Sequence, residues 1–194
     1  MGYIAIVDYG VGNLMSVSNA LSFLGFESRV TGEAAGLERA DAIILPGVGA
    51  FPDAADKLRA PGLDRVLIAQ SGKKPILGIC LGMQVRPCEG LGFVKGSVEK
   101  ISTALKLPHI GWNALELRGS SPLFAGIDPG AYVYFVHSFC GMAEDPAQVI
   151  AVTGYGAPVV AAVQSGNVFG TQFHPEKSGE VGLAMLKNFG EMNR

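Results

Sequence analysis

The segment KKPILGICLGMQ, residues 73–84, runs an apolar stretch into a cysteine that has glycine two positions away on each side, Gly78 and Gly82. Few chain geometries suit that order. A residue lifted from the end of a strand into a tight strand-to-helix turn takes strained backbone, and side chains two positions away would collide with it. The segment therefore predicts a buried strand over 75–79, a sharp turn at Cys80 and a helix starting at Leu81. At such a helix start, unpaired N–H groups and the dipole favour a thiolate, the form of sulfur that attacks. With 27 glycines in 194 residues, composition alone would flank about 2 per cent of cysteines in this way, roughly 6 per cent for three of them. The turn needs partners before it implies chemistry.

A strand, turn and helix in sequence point to a parallel sheet, and the N-terminal half repeats the unit. Strands are predicted over 3–7, 26–30 and 41–45. Helices are predicted over 14–24, with Asn13 as N-cap, and over 34–40, 51–59 and 63–70, Gly72 ending the last. The turn GVGN invites a dinucleotide reading, but the third glycine of that fingerprint is replaced by Met15. The loop Pro46-Gly47-Val48-Gly49-Ala50-Phe51 follows the carboxyl end of its strand, the edge where open α/β sheets bind ligands. Beyond residue 89 the chain is β-rich, with strands predicted over 92–94, 97–101, 114–117, 132–136, 149–153, 159–164 and 168–173. Ser165-Gly166-Asn167 signals a hairpin, so part of the sheet is antiparallel. An amphipathic helix over 179–191 closes the chain. The expected class is α/β: a mixed, largely parallel sheet with flanking helices and an antiparallel extension.

The length suits one domain over 1–194. Charged residues make up 16% of the chain, below the ~25% of typical soluble domains, which suggests that a partner covers some surface. A net charge of -2 without a basic run offers no footprint for nucleic acid or membrane. Cys80, Cys88 and Cys140 lack metal-ligand spacing and are odd in number, so we expect no metal, no cofactor and a reducing cytoplasmic compartment. No apolar run approaches the ~18 residues of a membrane span.

A cysteine nucleophile needs a base, and the base needs a group that orients it. His174-Pro175-Glu176 follows a predicted strand, with proline stiffening the turn so that both side chains can reach the active edge. His137 also ends a strand but has only Ser138 beside it, and His109 has no carboxylate before Glu116. On local sequence His174 leads, with His109 and His137 still competing.

GICLGMQ (78–84) together with TQFHPEKSG (171–179) resembles the triad, or class I, glutamine amidotransferases. Within that family DYGVGNL (8–14), LPGVGAF (45–51), PHIGWN (108–113) and YFVHSF (134–139) are similar to glutaminase subunits of histidine biosynthesis, over almost the whole chain. The resemblance implies a flavodoxin-like domain that hydrolyses L-glutamine and passes ammonia to a separate cyclase subunit, a (β/α)8 barrel, forming a heterodimer. It implies Cys80 as nucleophile, His174 as base and acid, and Glu176 as orienter. The oxyanion hole would use Leu81 and, after reorientation, Val48 or Gly49. Gly47, Gln84 and the main chain of His137, Ser138 and Phe139 would hold the substrate, and Asn13, Trp112, Tyr134 and Lys177 would face the cyclase. One departure stands out. The family carries a longer segment between the elbow and Gly90-Leu91-Gly92, so about ten residues are missing around 85–88, where a helix rises ~1.5 Å per residue. Three rivals remain open: another amidotransferase of the class, a silent docking subunit, and a stand-alone cysteine hydrolase.

Overall fold

A computed structural model describes residues 2–47, 51–80 and 91–192, with backbone alone for 51–53. Val48, Gly49, Leu81, Gln84, the helix expected from Leu81 and the shortened segment around 85–88 lie outside the described residues. In chain order the first half runs β1 (Ile4–Val7), α1 (Leu14–Phe23), β2 (Ser28–Thr31), α2 (Ala34–Arg39), β3 (Ala42–Gly47), α3 (Phe51–Arg59), α4 (Leu63–Ser71) and β4 (Ile76–Cys80). The second half adds β5 (Gly96–Lys100), β6 (His109–Ala114), β7 (Glu116–Leu117), β8 (Tyr132–His137), β9 (Phe139–Ala143), β10 (Val149–Gly154), β11 (Pro158–Ser165), β12 (Val168–Thr171) and α5 (Gly179–Glu191).

β1 is buried at all four residues, as a strand covered on both faces must be. Side-chain parity then divides it between two cores. Ile4 and Ile6 pack with Ile44, Leu77 and Phe169 beneath Leu21 of α1 and Leu186 and Phe189 of α5. Ala5 and Val7 pack with Ile43 and Leu45 beneath Leu37, Leu58 and Leu67 of α2, α3 and α4. The main sheet has the order β2-β1-β3-β4-β12-β11-β10-β7. β2, β1, β3, β4 and β12 pair in parallel, and β11, β10 and β7 continue the sheet antiparallel. Two ribbons, β5 with β9 and β6 with β8, stand apart from it. The expected class, the hairpin at 165–167 and the final helix are all present.

Several expected boundaries are corrected. The second strand starts at Ser28, because Phe26 turns into the core and its N–H donates to Leu21 O at the end of α1. β3 runs on through Pro46 and Gly47, which pair with Ile79 and Cys80, so those two residues are strand and not loop. No strand forms at 92–94, where Val94 packs with Val163, Ala143 and Val160 in a small separate cluster. The predicted strand at 114–117 is two strands, β6 and β7, and β6 begins at His109. Within β6 Gly111 pairs with Phe135 at φ 129°, a value open to glycine. β9 was not foreseen. β12 stops at Thr171: Gln172 still donates its N–H to Ala161 O of β11, but His174 switches its N–H to Tyr134 O of β8. That switch carries the chain off the sheet and onto the ribbon.

Candidate active site

β4 ends on Cys80 at φ 56°, the one positive φ outside glycine among the described residues. Left-handed backbone costs an L-residue roughly 1–2 kcal/mol, so the turn persists because its surroundings hold it. β3 lies on one side with Gly47 opposite Cys80, and β12 on the other with Thr171 opposite Ile79. Gly47 is buried against the cysteine.

His174 leaves β12 with its N–H bonded to Tyr134 O at 3.0 Å, and the 3-10 turn Pro175–Lys177 folds Glu176 back beneath it. The imidazole Nδ1 lies 2.8 Å from Glu176 Oε1, with the two side chains 2% and 1% exposed. An acceptor carboxylate at that distance sets the tautomer: Nδ1 carries hydrogen and Nε2 faces the other way. Nε2 has no partner in hydrogen-bond geometry among the described residues. Burial opposes the imidazolium, but contacts with Cys80 and with Glu176 outweigh it and push the His174 pKa up to about 9. The register of β12 on β4 and the turn that follows β12 bring this imidazole and carboxylate to the carboxyl edge of the sheet, where β4 carries the Cys80 sulfur.

The other two histidines are built differently. His137 Nδ1 donates to Phe139 O at 2.8 Å, His109 Nδ1 stands 3.1 Å from His137 Nε2, and Asn113 Nδ2 stands 3.4 Å from His109 Nε2. With the Nδ1 of His137 donating, its Nε2 must accept from His109, whose Nε2 then accepts from Asn113. Each imidazole is thus neutral near pH 7, and among the described residues no carboxylate orients either. Burial, together with the charges of His109 and His174, holds His137 down at about 4 despite its bond to Phe139, and burial lowers His109 too. The chain fixes the main chain at Ser138 and Phe139, next to the cluster.

This has a consequence for acid stability. The unfolded His137 protonates near 6.5 and the folded one near 4, so between those values the unfolded state binds more protons and stability falls as pH falls. The loss expected from this group is about 3 kcal/mol. Urea unfolding midpoints between pH 6.5 and pH 4 should show it, and His137→Gln should flatten that limb. A wild-type limb already flat would contradict the chain. His174, raised instead, contributes stability that is present below 6.5 and lost as pH rises through about 9.

Three supports escaped the sequence reading. Ser178, 1% exposed, donates from Oγ to His174 O at 2.7 Å and accepts from Tyr134 N at 3.0 Å, tying the His174 turn to β8. Its place in TQFHPEKSG was the available signal. Gly182 lets α5 approach that turn, because a Cβ there would lie 2.0 Å from Pro175 O. Tyr9 donates to Pro46 O at 2.7 Å, and burial with the nearby Cys80 raises its pKa.

Of the residues expected at an interface, Trp112 and Tyr134 are cross-strand partners with ring centroids 6.2 Å apart, meeting edge to face. Trp112 is 54% exposed, as are Ile110 at 58% and Tyr132 at 59% on the same face of the ribbon. Lys177 is exposed on the His174 turn, and Asn13 is half-buried at the start of α1 without a side-chain capping bond. Among the described residues Cys80 and Cys140 are free cysteines, no group of side chains could hold a metal ion, and no helix is long and apolar enough to cross a membrane.

An elbow cysteine beside a carboxylate-bound histidine, at the carboxyl edge of a mostly parallel sheet, defines a class. The family Glutamine amidotransferase class-I matches residues 5–192, and the chain belongs to that family of enzymes. It is 49% identical to the imidazole glycerol phosphate synthase subunit HisH of Oceanobacillus iheyensis, over 98% of this chain and 100% of that protein. The subunit HisH of Caldanaerobacter subterraneus subsp. tengcongensis is 46% identical over 97% of this chain and 98% of that one. The solved structure of PurLQS from Thermotoga maritima shares the fold at TM-score 0.74 and 25% identity, covering 97% of each chain. The alignment with the Oceanobacillus protein spans 200 positions, more than the 194 residues here, so that relative has residues without a counterpart in this chain.

Proposed function

We propose that the chain hydrolyses glutamine to glutamate and ammonia through Cys80, His174 and Glu176. The ammonia passes to a separate cyclase subunit, a (β/α)8 barrel, that makes imidazole glycerol phosphate and the aminoimidazole carboxamide ribotide by-product in histidine biosynthesis. The observation that carries the reading is the left-handed Cys80 beside a buried His174–Glu176 pair; the resemblance to HisH subunits supplies the synthase.

The Cys80 thiolate attacks the side-chain carboxamide carbon, and the N–H groups of Leu81 and of Val48 or Gly49 receive the oxyanion. The His174 imidazolium gives its proton to the departing nitrogen, which leaves as ammonia with a thioester in place. Neutral His174 then takes a proton from water, the hydroxide adds to the thioester, and the C–S bond breaks with its electron pair returning to sulfur. Glutamate leaves, and the thiolate and imidazolium are restored. Gly47, Gln84 and the main chain of 137–139 hold the substrate.

The exposed ribbon of Ile110, Trp112 and Tyr132 adjoins the His174 turn and suits a partner's covering surface. Docking there reaches Cys80 through Tyr134 and Ser178, so partner binding and turnover are coupled. Glutamine hydrolysis by the chain alone, with the cyclase, and with the cyclase and its nucleotide ligand tests this. Expected turnover is near background alone and rises at least a hundredfold, about 3 kcal/mol, in the ligand-bound complex. Full turnover by the isolated chain would refute the coupling.

A further inference from the structure

We propose that the Gln172 carboxamide is a catalytic hydrogen-bond donor to the Cys80 sulfur, holding it in place for attack and stabilising it whenever it is anionic. The inference rests on the reading of Cys80 as nucleophile. Gln172 Nε2 lies 3.6 Å from Cys80 Sγ, across 92 positions of sequence. The side chain is fully buried, where hydrogen bonds are stronger than in water.

Its place follows from the sheet. Thr171 pairs with Ile79, so one further step in parallel register brings Gln172 level with Cys80. The N–H of Gln172 donates to Ala161 O at 2.8 Å and pins that step. Two residues on comes His174. A single strand exit thus delivers two groups to the sulfur, one that exchanges a proton and one that does not. A thiolate only accepts, so it selects the NH2 end of the amide over the carbonyl end. The donor never loses its proton, so it remains on sulfur through both half-reactions. Its bond strengthens as sulfur gains charge, which happens when the thioester C–S bond breaks and the electron pair returns to Sγ. Deacylation is the step it accelerates most.

Among the described residues the titratable groups facing the sulfur are Tyr9 after β1 and His174 after β12, with Glu176 and His137 behind His174. The test is the pH profile of Cys80 alkylation by iodoacetamide in the full chain, with the modified cysteine identified by peptide mass spectrometry. Hydrogen bonds to charged groups are worth enough to shift such a midpoint by about one pH unit, a tenfold effect. Gln172→Leu should move it upward by that amount, and Gln172→Glu, which sets an acceptor against the sulfur, should move it further. In the complex, kcat for glutamine should fall about tenfold in Gln172→Leu without a rise in KM, since slower deacylation lowers the two together. Gln172→Met, unbranched and of similar size, replaces the Leu variant if melting shows that one unfolded. Profiles that superimpose on wild type, or a raised KM with kcat unchanged, overturn the proposal. A shifted midpoint in a wild-type background that never hydrolyses glutamine would uphold the hydrogen bond and overturn the glutaminase reading instead.

Discussion

Cys80→Ala and Cys80→Gly are both expected to abolish glutamine hydrolysis in the presence of the cyclase, with a loss on the order of 10⁴-fold or more. Nothing else among the described residues places a nucleophile at the elbow, because Cys140 lies elsewhere, buried with Ile101 and Val159. The two variants should differ in stability. At φ 56° alanine keeps the left-handed strain that cysteine bears, whereas glycine does not, so Cys80→Gly should exceed Cys80→Ala by about 1 kcal/mol in urea unfolding. That reverses the usual order of these residues. Hydrolysis by either variant within about tenfold of wild type would remove Cys80 from the chemistry, and an Ala variant as stable as the Gly variant would show that the turn is unstrained.

Glu176→Gln is expected to lower kcat by about 10³ to 10⁴-fold while KM changes little. The carboxylate does two things at 2.8 Å from Nδ1. It accepts the Nδ1 hydrogen, leaving Nε2 free for the sulfur and the leaving nitrogen. It also opposes the burial that disfavours the imidazolium. A carboxamide can turn its NH2 toward Nδ1, which reverses the tautomer, and in either orientation it lacks the charge. His174 should therefore titrate lower in the variant, visible as a shift of its ring resonances in an NMR pH titration. Wild-type turnover in Glu176→Gln would reduce the site to a cysteine and a histidine.

How much of this could be read from residue order depends on the range of the interaction. The elbow was legible because Gly78, Cys80 and Gly82 are near neighbours and backbone strain is local. The His174–Glu176 pair was legible for the same reason, two residues apart around a proline. Which of three histidines joins the cysteine was not. His137 and His109 looked available until their bonds to Phe139, to each other and to Asn113 were seen. β6 and β9 went unread because each is a short run interrupted by glycine, Gly111 and Gly141, and lacks the continuous apolar signal of β1 or β3. Gln172 and Ser178 lay inside a recognised motif, yet their roles come from partners on β4 and β8.

By itself, then, residue order determined the alternation that splits β1 and β3 between two cores, the strained turn at Cys80 and the carboxylate-bound histidine, all of which arise within a few residues of chain. Tertiary structure decided that β12 lies beside β4 and in what register, and so which imidazole and which amide reach the sulfur. Strand pairing depends on hydrogen bonds between segments far apart along the chain, and a shift of one residue would turn Gln172 away from Cys80.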